Sequence, residues 1–112
     1  MIMSAAAGHR LAIRELESQH PLDPGAIDAF LAERTFPIVE GTSVTFVWRG
    51  EADAVNLRHW VYGLPSSQPF HRIPHTDLWY HILELPAGSR VEYKFEVVRG
   101  PMHQWVLSLI HI

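Results

Sequence analysis

The most regular alternation in the chain lies between Arg90 and Val98, where Val91, Tyr93, Phe95 and Val97 share one parity and Glu92, Lys94 and Glu96 the other. That period of two predicts a strand with one dry and one wet face. Upstream, Leu78, Tyr80 and Ile82 alternate less cleanly with Trp79, His81 and Leu83, and Pro86, Gly88 and Ser89 supply turn chemistry between the runs. Leu78 to Val98 thus reads as a β-hairpin around which the rest is arranged. Val44, Phe46 and Trp48 alternate with Thr45 and Val47, Gly50 to Ala54 form a turn, and Val55, Leu57, His59 and Val61 begin another alternating run. Gly63 to Thr76, broken by Pro65, Pro69 and Pro74, reads as a long loop with one short strand around Phe70 to Ile73. A turn at Gly100 and Pro101 precedes a last segment around Trp105. Short strands separated by turn signals predict an antiparallel β-sandwich.

The N-terminal third follows a different period. Leu11, Ile13 and Leu16, with Ala5 to Ala7 before them, predict a weakly amphipathic helix over residues 5 to 19 with Ser4 as a candidate cap. Asp23 and Pro24 then form a cap and first-turn pair for a second helix that buries Ile27, Phe30 and Leu31 and stops before Pro37. The organisation expected is a helical extension, 1–37, and a sandwich, 38–106.

Composition narrows the function classes. At 112 residues the chain is one small domain in expectation, burying roughly 65% of its unfolded surface. With 47% apolar and 19% charged residues it is globular, and no apolar run approaches the roughly 20 residues that span a bilayer. A net charge of −3 with scattered basic residues argues against nucleic acid. The absence of cysteine removes disulfides, thiolate metal sites and thiol nucleophiles together. Arg10, Arg14, Glu15 and Glu17 interrupt the stretch a signal peptide needs to be apolar, so a cytoplasmic location is expected.

Eight histidines invite a metal or acid-base reading. His71 and His75 are four apart, but Pro74 between them rules out a shared helical face, so no metal site is expected. His59 and His81 fall inside predicted strands, where half-buried, hydrogen-bonded histidines are the common case. Ser66 and Ser67 lack the Gly-x-Ser-x-Gly elbow of an ester hydrolase. No catalytic residue and no cofactor is expected. The aromatic residues are the better lead: of four tryptophans, a sandwich core takes one or two. Trp60 and Tyr62 share a parity opposite Leu57, His59 and Val61 and run into the Gly63 loop, which marks them as candidates for an exposed role.

The stretches VTFVWRGEAD (44–53), RHWVYGLPSSQPFHRI (58–73), TDLWYHILELP (76–86) and RVEYKFEVVRG (90–100) resemble the N-terminal domain of enterochelin esterase and related esterases. The resemblance implies an immunoglobulin-like sandwich of the early-set type, similar to glycogen-binding modules. It also implies a C-terminal α/β-hydrolase partner domain that hydrolyses ferric catecholate siderophores and releases iron, with no part of its triad in this chain. The domain's implied role is to pack on that hydrolase and frame the substrate entrance, for which the loop from Trp60 to Arg72 is the candidate edge. Trp60, Tyr62, His71, Arg72 and Trp105 are the candidate binding residues. The rival is a glycan-binding module in which Trp60, Tyr62 and Trp105 form a stacking platform for sugar rings. After Trp105 the chain departs from the family pattern, and LSLIHI, residues 107–112, matches one reading frame of a transposase sequencing adapter. Those residues are expected to be a non-biological tail on a truncated frame.

Overall fold

The computed structural model describes residues 11–19, 22–59 and 67–111, the last five by backbone alone. The described residues fall into two compact units that divide between Thr35 and Phe36. In the first, α1 (Ala12–Glu17) buries Ile13 and Leu16, and α2 (Pro24–Ala32) buries Ile27 and Phe30. Pro24 opens α2 because its fixed φ suits a first helical turn and its missing N–H is not needed there. Asp23 precedes it without a side-chain cap bond. The Arg34 guanidinium lies 4.2 Å from the Phe30 ring centre. No helix among the described residues is long and apolar enough to cross a membrane.

The second unit is mainly β, an immunoglobulin-like sandwich of two antiparallel four-stranded sheets. Its strands are β1 (Ile38–Glu40), β2 (Ser43–Arg49), β3 (Ala54–His59), β4 (Ser67–Pro69), β5 (His71–Arg72), β6 (Leu78–Glu84), β7 (Arg90–Arg99) and β8 (Met102–His111). Sheet A has the order β1-β2-β6-β5 and sheet B the order β4-β3-β7-β8. The expected hairpin over Leu78–Val98 is not one: β6 pairs with β2 and β5, while β7 pairs with β3 and β8. The Pro86–Ser89 turn therefore carries the chain from one sheet to the other. The Gly50–Asp53 turn does the same between β2 and β3. True hairpins join β1 to β2 and β7 to β8.

The core forms between the sheets. Val44 and Phe46 from β2, Trp79 and Leu83 from β6, Val55 and Leu57 from β3, and Val91, Tyr93, Phe95 and Val97 from β7 are all buried in one cluster. Burying side chains of this size contributes roughly 1.5–3 kcal/mol each before chain entropy opposes it. Phe46 meets Tyr93 and Phe95 edge to face, with ring centres 4.7 and 6.2 Å apart. Sheet A is buried on its outer face too, at Ile38, Thr45, Leu78 and Tyr80.

One short strand was expected around Phe70–Ile73, and the chain instead makes two, in different sheets. β4 pairs with β3, β5 pairs with β6, and Phe70 lies between them. Its N–H donates to the Val55 carbonyl at 2.7 Å, and its ring enters the core 5.0 Å from that of Phe95. At one end of the sandwich Gly50 is required by contact: a Cβ there would stand 2.6 Å from Trp48 Cη2. The Gly50 carbonyl accepts from Trp79 Nε1 at 3.0 Å and its N–H donates to the Asp77 carbonyl at 2.8 Å.

Candidate functional site

The structure distributes the expected site residues over both edges of the sandwich. Trp60 and Tyr62 lie outside the described residues. His71 and Arg72 form β5, the outer strand of sheet A, and both are exposed. His71 meets Tyr80 edge to face, with ring centres 5.3 Å apart, and Arg72 Nη1 donates to the Thr76 carbonyl at 2.9 Å. Trp105 belongs to β8, the outer strand of sheet B, at the far edge. The fold therefore keeps Trp105 apart from His71 and Arg72. No group of three His, Asp or Glu among the described residues could hold a metal ion.

Trp105 sits in a charged neighbourhood. Arg58 and Lys94 are directly opposite one another in the β3–β7 register, a like-charge pair that costs stability unless compensated. Compensation comes from two sides. Lys94 Nζ lies 4.4 Å and the Arg58 guanidinium 5.7 Å from the Trp105 ring centre. Glu96, the direct neighbour of Trp105 across β7–β8, is 3.8 Å from Arg58 Nη1 and 2.5 Å from His103 Nδ1. The bond from His103 holds the Glu96 carboxyl below the usual glutamate value, with smaller contributions from the Asn56 amide and the Arg58 charge. Cation–π contacts of this kind are worth roughly 0.5–1 kcal/mol at exposed sites.

The opposite edge holds two inward-facing histidines. His59 is fully buried, and the Gln68 amide N–H donates to its Nε2 at 3.0 Å. An amide nitrogen can only donate, so Nε2 accepts and the ring is neutral, in keeping with burial lowering its pKa below 6.5. His81 pairs with Phe46 in register and is likewise lowered, first by burial. A hydrogen bond to the Pro69 carbonyl raises it somewhat and the nearby His59 lowers it further. Its Nε2 has no partner among the described residues. Both histidines brace the β4–Phe70–β5 crossing. Among the serines, Ser18 and Ser89 donate to the carbonyls of Glu15 and Pro86, and Ser43 donates to Glu84.

Between the sheets, at the edge formed by β1 and β8, lies a cavity of about 220 Å³. It is lined by Phe36, Pro37, Phe46, Val47, Tyr93, Phe95 and Val106. Phe36 and Pro37 lead into β1 and Val106 belongs to β8, so the two edge strands face one another across the opening. Four large hydrophobic residues are exposed among those described, and all lie on these strands: Val39 at 46%, Met102 at 70%, Trp105 at 43% and Val106 at 39%. Only Trp105 was singled out by the sequence. Apolar residues on both parities of the last strand were the one available signal, and the opening itself depends on β1, more than 60 positions away.

The class defined by these features is an antiparallel β-sandwich module with an apolar opening along one edge. A family model described as "Enterochelin esterase, N-terminal" matches residues 43–108. That is more than half of the chain, which therefore belongs to the enterochelin esterase N-terminal domain family. No curated protein and no solved structure matches it.

Proposed function

We propose that this chain acts as an accessory domain of an esterase-like protein, packing on a C-terminal α/β-hydrolase domain and framing the entrance to its active site. The match of residues 43–108 to a family defined as the N-terminal part of an esterase carries the reading. In it, the hydrolase supplies nucleophile, base and acid, and the sandwich supplies a rigid wall, for which paired sheets with a packed aromatic core are suited. The substrate class is a ferric catecholate siderophore ester, hydrolysed in the cytoplasm with release of iron.

The test adds the chain to a separately produced enterochelin esterase catalytic domain. Hydrolysis of a ferric catecholate triester and of a small aryl ester is followed. A domain that frames the entrance raises kcat/KM for the large substrate and leaves the small one unchanged. Equal rates on both substrates with and without the chain, at concentrations up to about 1 mM, refute the reading. Glycan stacking on Trp105 is a weaker second reading, because Lys94 already lies 4.4 Å from that ring centre. Quenching of tryptophan fluorescence by a maltooligosaccharide, lost in Trp105→Ala, would reverse that order.

A further inference from the structure

We infer that the β1/β8 edge is the surface on which the catalytic domain docks, with one apolar side chain of that domain seated in the opening between Phe46, Tyr93, Phe95 and Val106. The inference rests on the accessory-domain reading above and adds the surface to it. Register makes the first argument. Val39 is paired with Val44, and Val106 with Phe95, so both point toward the inter-sheet core, yet both are exposed. Inward-facing valines belong under cover in a closed sandwich. Here the aromatic layer ends in a gap.

The size of the gap identifies the kind of occupant. A buried apolar cavity of about 150 Å³ accommodates a benzene ring, whereas sites for drug-sized ligands run from about 300 Å³ upward. At about 220 Å³ the opening fits one aromatic or branched side chain and excludes a ferric siderophore. The opening is thus sized for a single side chain and not for the whole substrate.

The exposed area then distinguishes a tethered domain from a second copy. Val39, Met102 and Val106 together expose on the order of 300 Å², the low end of the range for a functional patch on a single domain, and Trp105 adds area on the outer face of the same strand. A stable association of free partners buries about 1,200 Å² or more. A domain joined by a short linker acts at an effective concentration of about 1 mM, so a patch of this size suffices. The family match ends at residue 108, within β8, so a C-terminal domain joined beyond the matched region is tethered beside this edge.

The experiment titrates the isotopically labelled 112-residue chain with an enterochelin esterase catalytic domain and maps the amide shifts. The expected result is perturbation of Val39, Phe95, Met102, Trp105 and Val106, with His71 and Arg72 unmoved. Val106→Glu weakens binding by about tenfold at an unchanged melting temperature, and Val106→Leu retains it. Shifts confined to β4 and β5 overturn the docking surface while leaving the accessory reading intact. Absence of shifts with the catalytic domain at about 1 mM, the effective concentration a short linker supplies, overturns the surface as well, and the hydrolysis assay above decides separately whether the accessory reading fails with it. Concentration-dependent self-association removed by Val106→Glu assigns the edge to a second copy and also overturns the proposal.

Discussion

At one edge of the sandwich the chain itself crosses from sheet B to sheet A, with β4, Phe70 and β5 in succession and Phe70 driven into the core. At the other edge β1 and β8 belong to different sheets, and the inward-facing Val39 and Val106 stay exposed. The two edges use similar apolar residues at equivalent parity. What differs is whether backbone bridges the layer, and that alone decides whether an inward side chain contributes to folding or remains available for contact.

The largest expected effect falls on the bridged edge. Phe70→Ala removes a ring packed against Phe95 and should lower unfolding stability by about 3–5 kcal/mol, a large share of what a small domain has. A urea midpoint within error of the parent would show that the crossing does not brace the fold.

Acid should loosen the same edge next. His59 and His81 have folded pKa values below their unfolded value of 6.5, so between the two values the unfolded chain binds more protons. Their contribution is complete above pH 6.5 and is lost as pH falls through the folded values. Glu96, also lowered, contributes above its unfolded value of 4.5 and is lost in a separate, more acidic window. Hydrogen exchange at the Phe70 amide, corrected for intrinsic rate, should accelerate from pH 7 to 5 more than exchange at Val97. Equal acceleration would remove the histidines as the cause.

The smallest effect belongs to the open edge. Val106→Ala should change stability by no more than about 0.5 kcal/mol, because the side chain is already substantially wet. A loss above about 1.5 kcal/mol would mean that the opening is closed in solution and would erase the contrast between the edges.

How much of this was legible depended on how many faces of each strand are buried. β7 was plain because Glu92, Lys94 and Glu96 lie on the outer face while Val91, Tyr93, Phe95 and Val97 are buried. β6 was blurred because Leu78, Trp79 and Tyr80 are all buried, which leaves no polar parity to read. The hairpin reading failed for a different reason. Pro86, Gly88 and Ser89 announce a reversal but carry no information about which strands pair afterwards, and β2 and β3 take the places beside β6 and β7. The mainly β fold, the start of α2 at Pro24 and the hydrogen-bonded character of His59 were readable locally, although His59 is fully buried where a half-buried residue was expected. The opening was not, since the exposure of Val106 is set by β1 and by chain crossing rather than by its own neighbours.

The two turns that change sheets also govern the order of assembly. β2 must wait for β6 and β3 for β7, so neither four-stranded sheet has its central pair until a chain emerging from the ribosome has passed Glu84 and then Arg99. Contacts so distant in sequence slow the search, and refolding in milliseconds to seconds is expected, testable by stopped-flow fluorescence of the core tryptophans. A dominant microsecond phase would contradict it. Until β7 arrives, the apolar faces of β2 and β3 have no lasting partner, and the nascent domain is at its most vulnerable to chaperones, proteases and neighbouring chains.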